Sequence, residues 1–207
     1  MNEGARASLA RLDEITRRLR VECPWDREQD ERSIVPHTVE EAYELADAAI
    51  TGDDHKLVDE LGDVLFQVYF LSLLLEERGA GDLSVVAEGM IEKLIRRHPH
   101  VFGEVEVDSA EGVVRNWDAI KRDEYGSIFG DLPENLPALL YARKVIRRAA
   151  NAGLAVPAIG AAEEGADEFT TIGRRLFELV AEARELDVDP ELALRTYARR
   201  FMEGATE

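Results

Sequence analysis

Two acidic groups stand one short loop apart: Glu40-Glu41-Ala42-Tyr43-Glu44 and Glu60-Leu61-Gly62-Asp63. Side chains three or four positions apart are helix neighbours. If each group is helical, Glu41 and Glu44 share a face, and so do Glu60 and Asp63. Two such helices packed antiparallel gather four carboxylates at one place. Bare carboxylates repel one another. They are tolerable together in water, or around a hard cation such as Mg²⁺, which takes oxygen ligands and often binds substrate phosphates too. Asp and Glu number 43 of 207 residues, so Glu40 to Glu44 alone also fits a solvated helix face. The second group says more. On a helix, Glu60, Asp63, Gln67, Phe70, Leu71 and Leu74 form one broad stripe that starts acidic and ends apolar. A solvated face stays polar along its length. This stripe runs into the core, which places Glu60 and Asp63 at the mouth of a pocket between helices. A carboxylate drawn partly out of water there needs a partner. The di-iron signature Glu-x-x-His does not occur in the sequence, which argues against redox iron chemistry. All-oxygen ligation favours Mg²⁺ or Mn²⁺.

Cations at helical spacing would complete a phosphate site. Lys93 and Arg97 are i,i+4 neighbours, and Trp117 and Lys121 repeat that spacing. A polyphosphate bridged by Mg²⁺ keeps residual charge, which Lys or Arg neutralises. Arg96 reads instead as a cation favourably placed at a helix C-terminus. Trp117 fits either a core aromatic or a base-stacking platform. His98 and His100, flanking Pro99, read as loop-structuring residues, and Lys144, Arg147 and Arg148 as a solvated basic face.

Those residues need helices to position them, and helical periodicity dominates the chain; no run of polar/apolar alternation is long enough for a sheet. Leu9, Leu12, Ile15 and Leu19 mark a first helix, followed by a turn-rich loop from Cys23 to Pro36. A second helix is predicted from about Thr38 to Ile50, with Thr38 and Glu41 as a capping box. A third spans about His55 to Glu77 and a fourth about Leu83 to Arg97, stopped by Pro99. His100 to Val107 reads as irregular, with a short extended piece at Val105 and Val107. A fifth helix, capped by Asp108 and Glu111, reaches Glu124. Gly126, Gly130 and Pro133 mark a linker. Further helices are predicted at about Leu136–Asn151 (before Gly153 and Pro157), Glu163–Leu186 and Pro190–Met202, the last with Asp189 as N-cap.

The formal charge of −18 argues against sequence-independent nucleic-acid binding and disfavours anionic membranes. The hydrophobic fraction of 45% suffices for a core. Cys23 is the lone cysteine, which fits a reducing compartment. Met1 to Ala10 has no signal-peptide core, and Val64 to Leu75 falls short of a membrane span. The expectation is a cytoplasmic protein.

Four blocks in order resemble the MazG family of nucleoside triphosphate pyrophosphohydrolases: Cys23-Pro24-Trp25-Asp26 with Gln29; Glu40-Glu41-x-x-Glu44 joined to Glu60-x-x-Asp63 in ELGDVLFQV; Lys93 to Phe102; and Asn116-Trp117-x-x-x-Lys121. The resemblance implies an all-α bundle of the NTP pyrophosphohydrolase (MazG-like) type. It implies Mg²⁺-dependent hydrolysis of nucleoside triphosphates to monophosphate and pyrophosphate, as nucleotide-pool house-cleaning. Glu41, Glu44, Glu60 and Asp63 then look like metal ligands, and Glu40 like a supporting carboxylate that orients water. Lys93 and Arg97 resemble the phosphate-binding pair, Trp117 and Lys121 residues closing over the nucleotide, and Trp25 a further substrate contact. A homodimer built by helix pairing is also implied. The alternative function is a non-catalytic nucleotide-sensing or protein-binding module on the same scaffold.

Asp30-Glu31 departs from the Thr-His that often follows Gln29 in the family. The segment from Pro137 resembles a second, degenerate MazG-like copy: Thr171 and Arg174 stand where the first copy has Glu60 and Asp63. Two amphipathic helices sharing a Gly and a Phe would look the same. The organisation read from the sequence is a catalytic helical domain at 5–126, a linker at 127–135 and a degenerate helical segment at 136–204, inert in catalysis.

Overall fold

The computed structural model describes residues 2–130, 132–155 and 165–205, and among them every regular element is a helix. The Cα packing divides the chain into two compact units, Met1–Leu94 and Ile95–Glu207.

In the first unit, α1 (Glu3–Glu22) and α2 (Pro24–Glu28) precede a long antiparallel pair, α3 (Glu31–Thr51) and α4 (Asp54–Glu77). The pair turns at Gly52, whose φ of +71° lies where a glycine is favoured, and Asp53 caps α4 by accepting from the amides of His55 and Lys56. Three cross-pair contacts set the register. Arg78 Nε lies 3.0 Å from Glu31 Oε1 at one end. Thr38 Oγ1 donates to Gln67 Oε1 at 3.4 Å in the middle. Lys56 Nζ lies 3.5 Å from Asp47 Oδ2 near the turn. That register lays Glu41 opposite Asp63 and Glu44 opposite Glu60.

Two local expectations fail here. The capping box belongs to Asp30 and Ser33, not to Thr38 and Glu41: Ser33 N donates to Asp30 Oδ1 at 2.8 Å, and Asp30 N to Ser33 Oγ at 2.9 Å. The stretch from Cys23 to Pro36 is accordingly not a loop but α2 and the first turns of α3, with Pro36 inside the helix. An interior proline costs about 3 kcal/mol. The early box and Ile34, 1% exposed against Phe70 and Leu74, offset that cost.

Phe70 is the centre of this core. It is fully buried with Ile34 and Leu74, and Phe66 and Leu71 pack beside it. Arg20 of α1 lies 5.8 Å over its ring, and the same guanidinium bonds Glu77 at 2.8 Å. Phe70→Ala is expected to cost about 3–5 kcal/mol by transfer and cavity effects. Urea denaturation of the metal-free chain measures this, and a loss under about 1 kcal/mol would place the core elsewhere.

Helix α5 (Leu83–Arg97) carries the chain across the division between the units. The second unit holds α6 (Pro99–Phe102), α7 (Ala110–Tyr125), α8 (Ala138–Asn151), α9 (Glu168–Glu185) and α10 (Pro190–Gly204). The His100–Val107 segment thus begins with a helical turn, and Val105 and Val107 form no strand. Ser109, not Asp108, caps α7, accepting from Gly112 N at 3.1 Å. Asp189 caps α10 as expected. Pro157 and Glu163 lie outside the described residues. Ile146, Ala149 and Val180 are buried where α8, α9 and α10 pack.

The internal echo acquires a physical content on α9. Arg174, in the place of Asp63, donates to Glu178, which is buried in the place of Gln67. Where α4 carries a carboxylate, α9 carries a cation with its own counter-charge. None of the described helices is long and apolar enough to cross a membrane.

Candidate metal centre

The register of α3 and α4 brings one carboxylate oxygen each from Glu41, Glu60 and Asp63 within 4.8 Å of one another. Glu44 stands outside that triplet but acts electrostatically on both Glu41 and Glu60. The stripe along α4 behaves as its sequence suggests: Glu60, Gln67, Phe70 and Leu74 are buried in succession. Asp63 departs from it and is exposed, so the two acids of the second group meet the site from different environments.

Burial pushes the Glu60 carboxyl above its ordinary value, and Glu44 pushes it further, against a pull from Lys56. Glu41 rises for the same first reason and then through Asp63 and Glu44, with His37 opposing. Glu60 Oε2 is buried without a hydrogen-bond donor among the described residues. Like charges crowded around an oxygen that lacks a donor are the condition a hard cation relieves. The donor set, oxygens alone from two rigid helices, fits Mg²⁺ or Mn²⁺ in its chemistry.

Glu40 is exposed and faces His37, whose Nδ1 lies 3.3 Å from Glu40 Oε2. His37 meets Trp25 edge-on at 6.0 Å between ring centroids. Trp25 is thereby linked to the acidic end of α3, with half its surface open. Gln67 was not singled out from the sequence as a site residue. Its bond to Thr38 ties the two helices just beneath the acids, and its lone polarity inside an apolar stripe was the available signal.

Lys93 is exposed on α5. In the second unit, Arg97 is 8% exposed and its Nη2 donates to Glu124 at 2.6 Å, while Arg96 Nε donates to the other oxygen of Glu124 at 2.7 Å. These two cations hold the Glu124 carboxyl down at about 2. Glu124 lies 27 residues from Arg97, so no local spacing could announce it. Trp117 is half-buried, tilted against His98 at 5.5 Å, with Lys121 Nζ 4.9 Å over its ring. Trp117 thus packs within the chain, as the core-aromatic reading has it. Burial, then the nearby Arg97 and Arg147, lower the Lys121 pKa. The segment Lys144 to Arg148 is not a uniformly solvated face, since Arg147 pairs with Asp118 at 3.4 Å and both Arg147 and Arg148 bury guanidinium nitrogens.

The MazG nucleotide pyrophosphohydrolase domain matches residues 29–102, which include the whole acidic triplet. A nucleoside triphosphate pyrophosphohydrolase of Escherichia coli K12 is 36% identical over 87% of this chain and 80% of its own length. A nucleoside triphosphate pyrophosphohydrolase/pyrophosphatase MazG of Thermotoga maritima is 37% identical, over 87% of this chain and 76% of its own. A mazG-related protein from Thermotoga maritima, known from its crystal structure, aligns with a TM-score of 0.48 at 26% identity, over 55% of this chain and 98% of its own.

Proposed function

The chain belongs to the MazG nucleotide pyrophosphohydrolase family, and on that premise we propose that it hydrolyses nucleoside triphosphates to nucleoside monophosphate and pyrophosphate, as a house-cleaning enzyme of the nucleotide pool. The observation that carries this reading is the convergence of Glu41, Glu60 and Asp63 within 4.8 Å on a rigid helix pair.

The reaction is attack by water on the α-phosphorus, with pyrophosphate leaving. Glu41, Glu44, Glu60 and Asp63 would hold Mg²⁺, which when bound offsets charge on the phosphoryl oxygens. Glu40 stands exposed beside Glu41, steadied by His37, where a carboxylate can orient a water or take its proton. Lys93, exposed on α5 in the same unit, would supply positive charge for the polyphosphate. Trp25, with half its surface open, would offer an aromatic face to the base.

Residues 5–126 carry the catalysis in this reading, 127–135 link, and 136–204 serve packing or assembly. The Arg174–Glu178 pair on α9 supports that division, because it replaces free carboxylates with a neutralised pair. Val58, Leu61, Leu65 and Val68 form an exposed apolar stripe along α4. Such a stripe supports a homodimer by helix pairing.

The test is a panel of ribo- and deoxyribonucleoside triphosphates with Mg²⁺, followed by pyrophosphate release and by identification of the nucleotide product. One pyrophosphate and one monophosphate per triphosphate consumed is the expected stoichiometry. Release of orthophosphate, or tight binding without turnover on every substrate, would replace the enzyme by another activity or by a sensor.

A further inference from the structure

A groove of about 590 Å³ in the second unit is lined by four arginines: Arg115 of α7, Arg143 and Arg147 of α8, and Arg184 at the end of α9. Its volume lies within the roughly 300–1,000 Å³ of small-molecule sites. We propose that this groove is a binding site for a small phosphorylated anion, held by Arg115 and Arg184 and backed by Arg143 and Arg147.

The charge pattern is the first reason. The chain has 25 Lys and Arg against 43 Asp and Glu, yet three separate elements contribute four arginines to the lining of one concavity. Cations so gathered repel one another unless an anion joins them. Two already have partners: Arg143 donates to Asp189, and Arg147 to Asp118 at 3.4 Å. Arg115 and Arg184 make no ion pair among the described residues. The lining includes two acids, Glu111 and Asp187. With Asp118 and Asp189 counted, four acids balance the four arginines, so the groove would take an anion through the two unpaired guanidinium forks of Arg115 and Arg184 and not through an excess of charge.

The donor count is the second reason. Arg147 Nε is buried behind the groove wall, so the donors a ligand would meet are those of the exposed Arg115 and Arg184. A guanidinium has donors alone, and its fork matches phosphoryl oxygens. Val114, Val188 and Ala110 give the groove an apolar side, where the non-phosphate part of a ligand can rest.

The third reason is the backbone. Asp187, in the lining, is the one non-glycine with positive φ among the described residues, at +54°. This is the left-handed cap that ends α9, with Val188 N donating to Ala183 O at 2.8 Å and Asp187 N to Arg184 O at 3.2 Å. Here the conformation turns the chain after α9 so that Arg184, Asp187 and Val188 all reach the groove.

The test uses the full chain with EDTA present and pyrophosphate as the probe, by titration calorimetry. Arg115→Gln and Arg184→Gln are each expected to weaken pyrophosphate binding about tenfold, as loss of a charge-assisted contact does. Both side chains are exposed and unpaired, so their removal should leave the melting temperature unchanged. A second measurement needs no variant: pyrophosphate should protect Arg115 and Arg184 from phenylglyoxal in the unmodified chain, read by peptide mass. Absent binding, equal binding by both variants, or unprotected arginines would overturn the proposal. Binding is read without turnover, so an inactive chain would count against the pyrophosphohydrolase reading and not against this groove. If the chain is active, turnover assigns the anion's source. A raised KM in the variants makes it the substrate's own phosphates, and an unchanged KM makes it a separate effector.

Discussion

Glu60→Gln should reduce turnover at least about 100-fold, since even residues behind a metal ligand typically cost 10–100-fold and this one is proposed as a ligand itself. The replacement keeps the shape of the side chain and removes its charge. Glu60 is 5% exposed, and burial together with Glu44, Glu41 and Asp63 already disfavours its ionised form. Removing that charge from the metal-free protein takes away a repulsion. The melting temperature in EDTA should therefore stay level or rise, while pyrophosphate release disappears. Asp63→Asn should lose turnover to the same degree with no change in melting temperature, because Asp63 is exposed. The two variants separate chemistry from packing. A drop of several degrees in EDTA for Glu60→Gln would mean that the carboxylate supports the fold. Activity retained in both would mean that the triplet holds no catalytic ion.

The residues behind this expectation were visible in the sequence for a specific reason. Acidic spacing of three and four, and a stripe turning from acidic to apolar, are local properties of single helices. The helix pair and the burial of Glu60, Gln67, Phe70 and Leu74 follow from them. What local spacing could not supply was how charges pair over distance. Arg97 and Arg96 share Glu124, and Arg147 meets Asp118, across 27 to 29 residues. The start of α3 was also illegible. Pro36 signalled a boundary, yet Asp30 and Ser33 had already capped the helix, and Ile34 found its place against Phe70. Tertiary burial outweighed a local breaker there. On α9 the sequence shows Thr171 and Arg174 without acids, and only the fold shows Arg174 neutralised by Glu178 rather than left as a bare cation.

Mg²⁺ should raise the melting temperature of the chain near neutral pH by about 5–10 °C at a concentration roughly 100 times its Kd, given about 2.7 kcal/mol of linkage and 2–4 °C per kcal/mol for a chain of this size. The increment should fade on acidification. Glu41 and Glu60 bind protons more tightly in the folded chain than at their ordinary value of 4.5. Their contribution to stability is therefore complete below that value and lost as pH rises through the raised folded values. At neutral pH the metal-free chain carries the repulsion, and a divalent ion removes it. As pH falls through their raised values, protons occupy the same carboxylates and leave the ion less to gain. Glu76, Glu77 and Glu124 act in the opposite sense. Arg17, Arg20 and Arg97 hold them below 4.5, so their contribution is present above that value and lost as pH falls through the folded one, about 2 for Glu124. Melting curves with EDTA and with Mg²⁺, from pH 8 to pH 4.5, distinguish the two sets, because only the first responds to the ion. Glu60→Gln should shrink the increment at every pH. An increment that is absent, that stays constant across this range, or that sodium at matched ionic strength reproduces would show that these carboxylates repel one another in solvent and gather no divalent ion.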